Sequence, residues 1–75
     1  MTQCEQIEEY MRLFGSITPA EAFNDLGVMR LASRICDMRK AGIQILAKNE
    51  TKKNRFGRTC TYKRYSLVGV ENGRH

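Results

Sequence analysis

Ile17-Thr18-Pro19-Ala20-Glu21-Ala22-Phe23-Asn24-Asp25-Leu26-Gly27-Val28-Met29-Arg30-Leu31-Ala32-Ser33-Arg34-Ile35-Cys36-Asp37-Met38-Arg39-Lys40-Ala41-Gly42 carries the densest structural signals of this 75-residue chain. Thr18 followed three residues later by Glu21 is a capping box, in which the threonine side chain takes the Glu21 amide and the glutamate reaches back to the cap. Pro19 suits the first helical position, where a fixed φ and a missing N–H cost nothing. The helix that starts there predicts Ala22, Phe23 and Leu26 facing inward, with Ile17 placed to staple onto Ala22. Gly27 stops it. A second periodic segment then runs from Met29 to Ala41 and ends at Gly42, with Val28, Leu31, Ile35 and Met38 recurring at helical spacing as a buried stripe. Two short helices joined across a glycine-containing turn, about Leu26 to Met29, make a helix-turn-helix arrangement.

Upstream, Thr2 and Glu5 form another capping box, and Ile7, Tyr10, Met11 and Phe14 follow as one apolar stripe. Glu5, Glu8, Glu9 and Arg12 fall mainly on the other faces, and Gly15 ends this first helix. Downstream the period changes. Ile43-Gln44-Ile45-Leu46-Ala47 reads as a strand with Ile43 and Ile45 on one face. Thr59 to Leu67 reads as its partner, with Tyr65 and Leu67 inward. The fold class is therefore α+β, mainly α: three helices followed by a β-hairpin. Residues 1–68 form the domain and 69–75 a flexible C-terminal tail.

The charges are segregated. Residues 1–29 hold one base and five acids, whereas residues 30–75 hold twelve bases and three acids. A C-terminal half of that sign attracts a polyanion, and double-stranded DNA is the predicted partner. On the third helix Arg30, Ser33, Arg34 and Asp37 share a polar side that Lys40 continues, the placement a recognition helix needs to reach base edges in the major groove. The competing reading of that side is a solvated charged face with Asp37 paired to Arg34 or Lys40. Lys48 to Arg58 carries five bases against one acid. It is predicted as a flexible loop, with Lys48, Lys52, Lys53, Arg55 and Arg58 available to phosphates. Phe56, an aromatic at the tip of a basic loop, is not explained by solubility.

Composition excludes much else. A domain this small has little room for an enclosed catalytic cavity beside its core, and no catalytic constellation can be assembled, so the chain is predicted not to be an enzyme. Cys4, Cys36 and Cys60 show no C-x-x-C spacing and no neighbouring histidine, and the only histidine, His75, is the last residue. No metal site, redox motif or cofactor is predicted. Cys4 and Cys36 occupy helical positions that a small apolar residue would serve. No apolar run approaches the roughly 20 residues that span a bilayer, and Met1 to Glu5 lacks a signal-peptide opening, so the expectation is a cytoplasmic protein with no membrane partner.

Three stretches, Ile17 to Ala22, Arg30 to Ile45 and Arg64 to Leu67, resemble the small winged helix-turn-helix proteins common in bacteriophage and prophage genomes. The likeness covers about residues 2 to 67. Its most specific part is Arg34-Ile35-Cys36-Asp37-Met38-Arg39-Lys40-Ala41-Gly42-Ile43. The resemblance implies a three-helix core with a hairpin wing and DNA binding, as a transcriptional regulator or an accessory factor in recombination or excision. It implies that Arg30, Ser33, Arg34 and Asp37 face the groove and that Arg39 and Lys40 lie near the helix end. Cys36 and Met38 depart from the Ser or Asn and the Leu expected there, changes that are conservative for packing. A second reading keeps the scaffold and changes the partner, making the chain a phage-encoded adaptor or inhibitor whose basic wing docks on an acidic host protein. A homodimer matching two half-sites would use Tyr10, Phe14, Val68 and Val70 as contacts.

Overall fold

A computed structural model describes residues 2–68; the predicted tail, 69–75, and Val70 lie outside the described residues. Helix α1 spans Gln3–Phe14, α2 starts as Pro19–Glu21 and continues through one wider π-type turn, Ala22–Leu26, and α3 spans Leu31–Lys40. Strands β1 (Ile45–Lys53) and β2 (Thr59–Leu67) follow as an antiparallel hairpin. This is the predicted succession of three helices and a hairpin.

Both capping boxes form. Thr2 and Thr18 each accept from the glutamate amide three residues on, while Glu5 and Glu21 accept from the cap amides. Gly15 closes α1 as expected. The turn between α2 and α3 is Gly27 to Arg30, and Gly27 takes φ +69°, left-handed backbone that an L side chain adopts only with strain. Its amide bonds back to the carbonyls of Ala22 and Phe23, so the chain leaves the π-type turn sharply. Helix α3 begins two residues later than the periodicity predicts. Arg30 is its N-cap, at φ −125° and ψ 67°, and has no side-chain oxygen with which to cap.

The core comprises Ile7, Met11, Ile17, Ala22, Val28, Leu31, Ile35, Met38, Ile45, Tyr65 and Leu67. The whole predicted stripe of α3 is buried, and Cys4 packs against the cluster as a small apolar residue. Three expectations fail. Phe14, placed on the inward stripe of α1, is 68% exposed, because it is the last residue of the helix and overhangs the end of the core; it stacks on Tyr10 instead. Phe23, predicted inward, is 55% exposed, since the single turn of Ala22–Leu26 has one inward strip and Ala22 and Leu26 occupy it. Cys36 is exposed on α3 and contributes nothing to the core.

The hairpin is longer and more ordered than predicted. Nine residue pairs run from Ile45 opposite Leu67 to Lys53 opposite Thr59, so Lys48 to Lys53 is strand, not flexible loop. Backbone pairing tolerates charged side chains when each stands in solvent above or below the ladder. Ile17 adds a bridge on the other edge of β2. Its N–H donates to the Tyr65 carbonyl at 2.8 Å and its carbonyl accepts from the Tyr65 N–H at 2.9 Å, which joins the hairpin to the link between α1 and α2.

Candidate nucleic-acid interface

The polar side of α3 does not present one uniform row. Ser33, Asp37 and Lys40 are exposed on the side turned from Leu31, Ile35 and Met38. Cys36 shares that outer side, a position the sequence reading gave to packing. Arg30 and Arg34 lie toward α1, where they line a hollow with Gln3, Gly27 and Met29. Arg39 leaves the opposite flank, five residues and about 140° around the axis from Arg34. Its guanidinium donates to the Ile45 carbonyl at 2.9 Å and ties the end of α3 to the start of β1. Arg34 is paired with Asp37 at 3.3 Å, the competing interaction weighed from the sequence. Both partners are open to solvent, so the pair is a weak one that a stronger anion can displace.

Side chains alternate across a strand, and the register sorts the wing cations accordingly. Lys48 and Lys52 share one face with Glu50 on β1 and with Cys60, Tyr62 and Arg64 on β2. Part of this face closes over α2: a groove of about 480 Å³ is lined by Thr18, Pro19, Ala20, Glu21, Lys52, Asn54, Cys60, Tyr62 and Arg64. The other face carries Asn49, Thr51 and Lys53 opposite Lys63, Thr61 and Thr59. It holds two lysines, hydroxyls and an amide, and no carboxylate. Lys63 donates to Asn49 across the strands at 3.1 Å. Lys63 did not feature among the sequence-based candidates; extending the strand pairing beyond Ala47 would have placed it beside Asn49.

The tip, Asn54 to Arg58, is held by its own polar groups. The Asn54 side-chain oxygen accepts from the amides of Phe56 at 2.9 Å and Arg58 at 3.0 Å, while its N–H donates to the Arg58 carbonyl. Gly57 supplies φ +78°. An asparagine that organises the following backbone in this way fixes a turn locally, so Arg55, Phe56 and Arg58 are presented from a defined loop. Phe56 is 85% exposed.

Where the hairpin meets the helices, Arg64 is surrounded by acceptors. Its Nε pairs with Glu50 at 2.9 Å, and its Nη1 donates to the Ser16 hydroxyl at 3.0 Å and lies 3.8 Å from Glu21. The Tyr62 hydroxyl donates to Glu50 at 3.0 Å. The bonds from Arg64 and then Tyr62 hold the Glu50 carboxyl below its usual pKa. Arg64 is shifted up, chiefly by Glu50. Its charge is thus engaged inside the protein, and the only acid of the wing is spent on it. Among the described residues, the side chains of Arg30, Lys40, Lys48, Lys52, Lys53, Arg55 and Arg58 make neither an ion pair nor a hydrogen bond.

Helix, turn, helix and basic hairpin in this order define a winged helix-turn-helix, and the family model described as Winged helix-turn-helix domain matches residues 2–70. The chain belongs to that family, whose fold suggests DNA binding. No curated protein and no solved structure shows significant similarity to the chain. Among the described residues no helix is long and apolar enough to cross a membrane, and no group of three or more His, Cys, Asp or Glu side chains is arranged to hold a metal ion.

Proposed function

We propose that this domain binds double-stranded DNA sequence-specifically, with α3 in the major groove and the hairpin on the phosphate backbone. The observation that carries the reading is the set of uncompensated cations on α3 and the wing, in a half of the chain whose acids are already paired or outnumbered. Ser33, Lys40 and, once released from Asp37, Arg34 are the side chains for base edges; an arginine that reaches guanine O6 and N7 bidentately discriminates by about 1 to 3 kcal/mol. Asp37 holds Arg34 in the free protein and gives it up on binding. Lys53 on the carboxylate-free face of the hairpin, with Arg55 and Arg58 at its tip, are the wing's phosphate contacts, while Lys48 and Lys52 lie on the opposite face. The role is binding, not catalysis, in a regulator of transcription or an accessory factor of recombination encoded by a phage or prophage and acting in the cytoplasm. Selection of bound fragments from random duplex DNA at physiological salt tests this: enrichment of one motif is expected, and a pool that stays random refutes sequence specificity. Affinity that does not change between about 50 and 200 mM salt refutes the phosphate contacts.

The exposure of Phe56 favours one other reading, in which the wing tip docks on an acidic host protein. Capture of one stoichiometric protein that survives nuclease treatment and is lost in Phe56→Ser would support it.

A further inference from the structure

Helix α1 carries a second surface, opposite in charge to the first. Leu13 is 67% exposed and lies beside the overhanging Phe14, whose ring meets Tyr10 with centroids 4.6 Å apart and planes tilted by 48°. The Tyr10 hydroxyl donates to Asp25 at 2.5 Å, which pins this ring pair to the Ala22–Leu26 turn. With Leu26, Gln6 and Glu9 these side chains line a shallow hollow of about 250 Å³. Contiguous apolar surface of this kind, rimmed by polar groups, marks an interaction site. The surroundings are acidic: Glu9 lines the hollow, and Asp25 holds the hydroxyl of Tyr10, which also lines it. The one base of residues 1–29, Arg12, is occupied by Glu8 at 2.9 Å and Glu9 at 3.7 Å.

Charge decides the occupant. A nucleic-acid backbone is repelled by these carboxylates, and a symmetric contact with a second copy would set two acidic α1 helices against each other. We propose that the face formed by α1 and the Ala22–Leu26 turn docks a cationic segment of a protein partner. An aliphatic or aromatic side chain of that segment enters the hollow between the Tyr10–Phe14 pair and Leu26, and its Lys or Arg residues meet Glu9 and Asp25. The interaction is independent of what α3 and the wing hold.

The test uses a short amphipathic peptide of leucine and lysine, with a version in which glutamate replaces lysine as control. Backbone NMR shifts on titration into the full chain, together with fluorescence anisotropy, give site and affinity. Expected are shifts centred on Gln6, Glu9, Tyr10, Leu13 and Phe14, no binding of the glutamate peptide, and a loss of about ten-fold in affinity in Phe14→Ser and in Leu13→Ser. Glu9→Lys is expected to weaken binding and reduce its salt dependence. All three positions are open to solvent, so unchanged thermal melting verifies that the variants fold. Shifts centred elsewhere, equal binding of the two peptides, or affinity unchanged in Phe14→Ser overturns the proposal. Concentration-dependent self-association that Phe14→Ser abolishes also overturns it, by assigning the face to a second copy.

Discussion

Lys52 and Lys53 are neighbours in sequence and face opposite sides of the hairpin, so replacing each with alanine separates the two surfaces of the wing. Lys53 shares its face with Lys63, three threonines and Asn49, and no carboxylate opposes them. Lys52 shares its face with Glu50 and Arg64 and lines the groove over α2. The Lys53 face is therefore the one expected to meet phosphates. Each neutralised phosphate contributes about 0.9 to the slope of log affinity against log salt for duplex DNA. Lys53→Ala is expected to flatten that slope by about 0.9, so that between about 50 and 200 mM salt the variant loses roughly 3.5-fold less affinity than the parent protein. The loss at fixed salt should be the same for every duplex sequence. Lys52→Ala should leave the slope within error of the parent. Fluorescence anisotropy with one labelled duplex across a salt series measures both. Equal flattening in the two variants, or flattening by Lys52→Ala alone, refutes the assignment of faces.

The other predictions concern the recognition helix, the core and two titrating groups. Asp37→Ala frees Arg34 and is expected to raise affinity for all duplexes about threefold, equivalent to roughly 0.6 kcal/mol, whereas a fall confined to the selected motif would show Asp37 itself contacting a base. Ile35→Ala empties the centre of the core and should cost about 3 kcal/mol, lowering the thermal midpoint by roughly 15 °C as followed by circular dichroism; a shift of only a few degrees would show that the core is loosely packed. The Tyr10 phenol is pushed up to about 12, first by its bond to Asp25. Its stabilising contribution is thus complete below the ordinary tyrosine value of 10.0 and lost as pH rises through about 12, and an alkaline titration of phenolate absorbance should lose a step near about 12 in Tyr10→Phe. Glu50 is shifted the other way, so the stability it gives is present above the usual carboxylate value and lost as pH falls through its lowered one; Glu50→Gln should flatten the acid limb of a denaturation series, and an unchanged limb would place the acid sensitivity elsewhere.

What could be read from the sequence was local. Thr18, Pro19 and Glu21 announce a helix start within four residues, and Leu31, Ile35 and Met38 reveal a buried face through spacing alone; both signals survive intact in the structure. What could not be read depended on distant partners. Ile17 looks like a staple residue because its bridge to Tyr65 spans 48 positions of chain. Lys48 to Lys53 looks like loop because the pairing that makes it strand comes from Thr59 to Arg64, and strand propensity follows context more than composition. Phe14 and Phe23 fit their periodic patterns, but periodicity says nothing of where the core ends. For the candidate interface, the residue types were legible while their faces were not: Arg34 reaches Asp37, Arg39 reaches the sheet, and adjacent lysines part company across the hairpin.

The anchoring of Arg64 to Glu50, Ser16 and Glu21 fastens the root of the hairpin, while the outer half is held by its own ladder and turn and meets the body only as a wall of the groove over α2. Such an appendage can be lengthened or shortened without disturbing the body that bears it, provided residues are added or removed in pairs on both strands. An even change preserves which side each remaining lysine occupies; an odd one turns the outer part over and exchanges its two surfaces. Hairpin length is thus a dial for reach, and its parity a switch for chemistry.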